Sequence, residues 1–148
     1  MDREAYMRMA LSLAREASLA GEVPVGCVIA DETGRVIGRG RNMREEKRSA
    51  LSHAECEAIA EACAARGDWR LDGCSLFVTL EPCPMCAGAI INARISTVVY
   101  GARDDAMGAC AGVLNIFEER FGHTPAIYAG VLADECSELL REFFKKIR

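Results

Sequence analysis

Apolar residues recur at helical spacing over the first part of the chain. Met9, Leu13 and Ala17 fall on one side of a 3.6-residue period, and charged residues fill most positions between them. This pattern predicts an amphipathic helix from Asp2 to about Ala20. Gly21 follows directly and ends the helix.

Continuous apolar runs bounded by turn residues predict the strands. Val23–Ala30 is such a run, and Arg35–Arg41 follows it after the turn Asp31–Gly34, so the two segments predict a β-hairpin. Later runs of the same kind predict three more strands, at Cys74–Leu80, Ile95–Tyr100 and Ala126–Ala129.

Four further segments have the pattern or the boundary residues of helices. The second of them is apolar nearly all round, which predicts either deep burial or a place in a subunit interface. The last is amphipathic and directs Leu139, Leu140, Phe143 and Phe144 inward. The segments are Ala54–Arg66, Pro84 to about Ala93, Val113–Arg120 and Asp134–Lys146. Residues 42–52 and 101–112 are predicted to be loops.

Strands and helices alternate after the opening hairpin, which is typical of an α/β protein with a central sheet and helices on both faces. The 148 residues suffice for one domain with a full core, and we expect a single domain over residues 1–148. Segments that precede helices at the ends of strands lie where ligands of such sheets collect.

Composition indicates a water-soluble protein of a reducing compartment. Hydrophobic residues make up 51% and charged residues 27%, and no apolar run approaches the length of a membrane span. The N-terminal residues lack the features of a secretory signal, so eight cysteines predict reduced thiols in the cytoplasm. Six of these are expected to be small buried hydrophobic residues: Cys27, Cys56, Cys63, Cys74, Cys110 and Cys136.

The net charge of −4 argues against a general affinity for nucleic acid. The charge is unevenly distributed, however, because Arg35–Arg48 contains six basic and two acidic residues and leads directly to His53. On charge alone, a solvated connecting loop is slightly favoured over a nucleic-acid contact for this segment.

Two cysteines at a helix start and one upstream histidine indicate a metal site. Cys83 and Cys86 lie three residues apart, with Pro84 at the first helical position, near the positive end of the helix dipole. A lone C-x-x-C pair also occurs in redox dithiols and in four-cysteine structural zinc sites. With His53 the set has three ligands, which leaves a fourth tetrahedral position for water, as in catalytic zinc sites. Glu55 is then placed to act as the base.

The order H-x-E, then P-C-x-x-C, is a signature already known for zinc-dependent nucleobase deaminases. Beyond it, the chain resembles the bacterial tRNA adenosine deaminase family, whose fold is cytidine-deaminase-like. The resemblance extends over nearly the full length, in segments that follow the family's order: Gly21–Gly26, Asn42, His53–Glu55, Thr79–Ala89, Gly101–Asp104 and Gly130–Cys136.

This resemblance implies a three-layer α/β/α sandwich around a mixed five-stranded sheet, with one Zn²⁺ per chain. It also implies hydrolytic deamination of adenosine to inosine at the wobble position of a tRNA anticodon, in a homodimer. The partner would be an anticodon stem-loop, of arginine tRNA by this expectation. Residues at the C-terminus, Phe143 to Lys146 and Arg148, would help to grip the stem.

The resemblance suggests substrate contacts as well. Asn42 would bond the purine or its ribose, and the backbone N–H of Ala54 would donate to the ring. Arg103 and Asp104 would contact the sugar-phosphate of the flipped nucleotide, and Pro24, Val25 and Pro82 would wall the base pocket. Without the resemblance, these residues are a turn asparagine, a loop ion pair and strand packing.

Two other functions compete with this one. A deaminase of a free base or nucleoside, such as guanine or cytosine, would release ammonia without forming inosine in an anticodon stem-loop. A non-enzymatic zinc or redox module at Cys83 and Cys86 would show four protein ligands or a titratable dithiol, and would not need Glu55.

Overall fold

One mixed five-stranded sheet lies at the centre of the structure, a computed structural model that describes residues 1–147. Arg148, expected to take part in gripping RNA, lies outside the described residues. The strand order is β2-β1-β3-β4-β5; β1 pairs antiparallel with β2 and β3, and β3, β4 and β5 run parallel. The strands are β1 Gly26–Ala30, β2 Val36–Arg41, β3 Ser75–Leu80, β4 Thr97–Ala102 and β5 Ala126–Tyr128.

Helices cover both faces of this sheet, as the sequence predicts. The first and last pack on one face and the third and fourth on the other. The helices are α1 Arg3–Leu19, α2 Arg44–Lys47, α3 Ala54–Arg66, α4 Pro84–Asn92 and α5 Ala133–Lys146, with a 3₁₀ turn at Ile116–Glu118. The expected α/β/α sandwich is confirmed.

Alternation along the strands sends side chains to two separate cores. In β3, Phe77 joins the core under α1 and α5, whereas Leu76 and Val78 join the core under α3 and α4. All three side chains are fully buried. Because neighbouring side chains face opposite cores, β3 reads as a continuous apolar run.

Two glycines in β2 let α3 approach the sheet closely. A Cβ atom at Gly38 or Gly40 would overlap the backbone oxygens of Ala58 and Ala54, respectively. Any other residue at these positions would push α3 away from β2. The close approach sets the position of the first turn of α3, which carries His53 and Glu55.

The structure corrects several predicted boundaries. The predicted loop 42–52 contains the one-turn helix α2, and the predicted helix Val113–Arg120 is only the 3₁₀ turn Ile116–Glu118. The first residues of the predicted helix donate to the preceding loop instead: Val113 N bonds to Gly108 O, and Ile116 N bonds to Ala109 O. β1 starts later and β4 two residues later than predicted, and β4 extends to Ala102.

Some burial predictions were also wrong. Phe143 is buried as expected, but Phe144 is 41% exposed. Of the six cysteines expected in the core, Cys56 and Cys63 are only partly buried. No helix within residues 1–147 is both long enough and apolar enough to cross a bilayer.

Candidate metal centre and substrate pocket

The N-termini of two helices hold the three predicted metal ligands. His53 is the N-cap residue of α3, and Cys83 is the N-cap residue of α4, with Pro84 at the first helical position. Cys86 lies in the first turn of α4 and is buried. Both helices therefore direct their positive ends towards the site, which favours thiolates there.

The spacing of the ligand atoms fits a tetrahedral zinc ion. His53 Nδ1 lies 3.5 Å from Cys83 Sγ and 3.5 Å from Cys86 Sγ, and the three ligand atoms lie within 4.8 Å of one another. Zinc bonds of about 2.3 Å to sulfur and about 2.0 Å to nitrogen, at a tetrahedral angle, place N and S about 3.6 Å apart. The donor set and its spacing therefore fit zinc as the cofactor.

The thiols of the site differ in their acidity. The pKa of Cys83 is lowered to about 4, mainly by a hydrogen bond with Cys86 and then by one with His53. The pKa of Cys86 is raised, because its hydrogen bonds with Cys56 and Cys83 retain its proton. Binding of a divalent cation releases such a proton, so metal affinity should rise with pH.

Glu55 lies beside the ligands in the first turn of α3. Its side chain is only 4% exposed and lines the pocket described below. Burial raises the pKa of Glu55 to about 7. A carboxyl group with this pKa can both accept and return a proton near neutral pH.

A fourth sulfur lies near the cluster but outside it. Cys56 Sγ is 3.9 Å from Cys86 Sγ, yet the group of mutually close ligand atoms contains His53, Cys83 and Cys86 without it. The geometry therefore supports three protein ligands and not four.

This arrangement predicts that Cys56→Ser retains zinc and activity. We expect the variant to bind metal at the wild-type stoichiometry, with turnover within about twofold, since no ligand is removed. Elemental analysis and an activity assay check this. Loss of zinc from Cys56→Ser, at a level matching Cys86→Ser, would instead make Cys56 a ligand and contradict the open coordination position.

A pocket of about 690 Å³ is lined by the ligands His53 and Cys83 and by Glu55. This volume lies in the range of small-molecule sites. Five of the residues predicted to contact substrate line it: Val25, Asn42, Ala54, Arg103 and Asp104. Pro24 and Pro82 are buried next to lining residues without lining the pocket themselves. The substrate roles of all seven residues stay predictions.

Two of these lining residues also shape the backbone around them. Asn42 Oδ1 accepts a hydrogen bond from Arg44 N at 3.0 Å. Asp104 Oδ1 accepts from Ala106 N and Met107 N at 3.0 and 3.1 Å. The carboxylate of Asp104 thus closes a turn, and it forms no ion pair with Arg103 within residues 1–147.

Sequence reasoning missed several lining residues, contributed by segments far apart in the chain: Val23, Arg44, Leu80, Glu81, Asp105, Ala106, Met107 and Leu140. Phe144, which the resemblance placed in contact with the RNA stem, lines the pocket together with Leu140 of the same helix. The sequence contains a clearer signal for Glu81. A carboxylate that directly follows an apolar strand and precedes C-x-x-C is expected to be buried near the metal site, where it needs hydrogen-bond partners.

A His-Cys-Cys site whose spacing fits tetrahedral zinc, with an adjacent buried glutamate and a pocket of small-molecule size, defines a zinc-dependent hydrolytic deaminase. The chain belongs to the family described as the cytidine and deoxycytidylate deaminase zinc-binding region, whose profile matches residues 1–102.

Similar proteins and solved structures include deaminases that act on tRNA and on a free base. The tRNA-specific adenosine deaminase of Bacillus subtilis is 47% identical over 147 residues, which cover 98% of this chain and 90% of the relative. A solved structure from a study of A-to-I editing by tRNA:A34 deaminases at the wobble position of transfer RNA is 42% identical, with a TM-score of 0.88, covering 92% of this chain and 99% of that one. A guanine deaminase structure from Nitrosomonas europaea is 28% identical, with a TM-score of 0.83, covering 95% of this chain and 83% of that one.

Proposed function

We propose that this protein converts adenosine to inosine at the wobble position of a tRNA anticodon. The observation that carries the proposal is the 47% identity to a tRNA-specific adenosine deaminase across 98% of the chain. The similarity to guanine deaminase is weaker, at 28% identity. The active form would be a single deaminase domain acting on tRNA in the cytoplasm.

The pocket supports a nucleoside substrate attached to a phosphate backbone. Its lining combines apolar side chains such as Val25 and Leu80, suited to a base, with two arginines. Arg44 and Arg103 are both exposed, so their guanidinium groups can reach phosphate oxygens. An anticodon base costs less to extrude than a base in a duplex, because it is not paired.

Residues of the chain carry the proton movements and hold the base. A zinc ion bound by His53, Cys83 and Cys86 would supply Lewis acidity, which makes water an effective nucleophile near neutral pH. Glu55 takes one proton from the attacking water and delivers it to the ring nitrogen. It then takes the second proton, from the hydroxyl group now on the ring carbon, and delivers it to the amino group, which leaves as ammonia as the carbonyl forms. Ala54 N–H and Asn42 orient the purine, and the apolar walls exclude bulk water.

A homodimer and an arginine tRNA substrate are the finer parts of the proposal. Exposed apolar side chains on the segment after β4 support an interface: Val113 is 57%, Leu114 45% and Phe121 58% exposed. Exposed apolar side chains of this size commonly mark contact surfaces when they form one patch.

The decisive experiment is to incubate the protein with arginine tRNA that carries A34 and to sequence the product for inosine. We expect conversion at position 34 and none at other adenosines, and no reaction with the same tRNA carrying G34. The Glu55→Ala protein is the matched inactive control. Ammonia release from free guanine or cytosine, without inosine in the tRNA, would overturn the proposal in favour of a free-base deaminase.

A further inference from the structure

Two buried glutamates near the pocket take no part in the proton transfers described above. Glu22 and Glu81 are each only 2% exposed. A buried charge is costly unless hydrogen bonds compensate it. In both cases the compensating partners are backbone N–H groups. These belong to two segments, residues 42–47 and 103–112, each of which contributes side chains to the pocket lining.

Glu81 organises the loop 103–112. Its Oε1 accepts a hydrogen bond from Asp104 N at 3.1 Å, and its Oε2 accepts from Cys110 N at 2.9 Å and from Gly112 N at 2.8 Å. Its own N–H donates to Ala102 O at 2.8 Å, at the end of β4. The loop therefore wraps around a single carboxylate.

Glycines of the same loop make room for this carboxylate. A Cβ atom at Gly108 would overlap the Glu81 carboxylate, and one at Gly112 would lie 2.8 Å from Glu81 Oε2. The loop in turn presents Arg103, Asp104 and Met107 to the pocket. The position of these three side chains thus depends on Glu81.

Glu22 has the corresponding role for α2. Its two carboxylate oxygens accept from Glu45 N at 3.1 Å and from Glu46 N at 2.8 Å. These donors lie in the first turn of α2, where helical N–H groups have no partner within the helix. The contact fixes the segment that brings Asn42 and Arg44 to the pocket.

We propose that Glu22 and Glu81 are positioning residues. They hold two segments of the pocket wall, residues 42–47 and 103–112, in the arrangement that binds RNA. Each acts through the backbone and not by contacting the reacting atoms, because both oxygens of each carboxylate already accept N–H groups. The inference rests on the proposed function for the identity of the substrate. It assigns to these residues substrate affinity and not the chemical step.

The test compares Glu81→Gln and Glu22→Gln with wild type on an RNA anticodon stem-loop. Glutamine preserves the size of the side chain, but its amide NH₂ group replaces one accepting oxygen and faces a backbone N–H. The segment held by each glutamate should therefore become more mobile. We expect KM to rise by about tenfold to a hundredfold, the range of one or two lost charge-assisted hydrogen bonds, with kcat within about threefold. Zinc content should be unchanged. The exposed Glu4→Gln removes the same charge away from the pocket and serves as the matched control.

Amide hydrogen exchange gives a readout independent of activity. Glu81→Gln should speed exchange at Asp104, Cys110 and Gly112 only, and Glu22→Gln at Glu45 and Glu46 only. Gly112→Ala provides a second route with Glu81 intact, since its Cβ would overlap Asp104 O and lie 2.8 Å from Glu81 Oε2; it should displace the loop and raise KM in the same way.

An unchanged KM in both glutamine variants, or exchange rates equal to wild type, would overturn the inference. A fall in kcat at constant KM would also overturn it, because it would place the carboxylate in the chemistry. If wild type forms no inosine, the proposed function fails, while the exchange measurements still decide whether the two carboxylates hold the loops.

Discussion

Glu55→Gln is expected to lower kcat on the anticodon stem-loop by about a hundredfold to ten-thousandfold, the usual contribution of a positioned acid–base group. The substituted amide has nearly the same shape but cannot accept the proton of the attacking water. It also removes a charge from a side chain that is only 4% exposed, so the fold should not be weakened. Steady-state kinetics and zinc analysis of the same preparation check the expectation.

Glu57→Gln is the matched control for this variant. Glu57 is on the same helix, but its Oε2 binds Lys47 Nζ at 2.7 Å, away from the pocket lining. We expect its turnover to stay near the wild-type value. A Glu55→Gln protein with more than about a tenth of wild-type turnover would contradict the role of a general base, for which at least a hundredfold loss is typical.

The elements that local sequence signals determine were predicted closely. Helix α3 begins at Ala54 and ends at Arg66 as predicted, because an apolar periodic segment ends at Gly67. Gly67 adopts φ 72°, a conformation that suits glycine at a helix C-terminus. Similarly, Asp2 caps α1 through a hydrogen bond from Ala5 N. Signals within a few residues were sufficient in both places.

The elements that depend on distant partners were not predicted. The helix expected from Val113 is replaced by bonds to the preceding loop, from Val113 N to Gly108 O and from Ile116 N to Ala109 O. That loop is in turn held by Glu81, about thirty positions earlier, through Cys110 N and Gly112 N. Helix α2 is likewise held by Glu22, which precedes it by more than twenty residues. Periodicity within a short window contains no information about such partners.

The same distinction, between local signals and contacts of distant residues, applies to the site. The three metal ligands and Glu55 fall in two short motifs at helix starts, so their spacing predicts a catalytic zinc site with an adjacent base, and the family resemblance supplies the deamination. The pocket wall combines Val23 before β1, Leu80 at the end of β3 and Leu140 in α5. Only the folded sheet brings these segments together, and for that reason sequence reasoning named the chemistry more completely than the substrate contacts.

Removal of zinc is expected to abolish activity and to lower thermal stability. A ligand that binds only the folded chain at about a thousandfold its Kd stabilises by about 4 kcal/mol, which corresponds to a Tm change of about 10 °C at this chain length. Dialysis against a chelator should therefore eliminate turnover and lower Tm, and added Zn²⁺ should restore both. Calorimetry and the inosine assay measure the two effects.

Substitution of a single ligand should reproduce the chelated state irreversibly. Cys86→Ser and His53→Ala each leave two protein ligands, too few to hold the ion, so added Zn²⁺ should restore neither turnover nor Tm. The contrast with Cys56→Ser, which should behave as wild type although its sulfur lies 3.9 Å from Cys86 Sγ, separates loss of a ligand from loss of a nearby thiol. Full activity in chelated wild type with no measurable metal would contradict both the zinc chemistry and the assignment of Glu55 as its proton carrier.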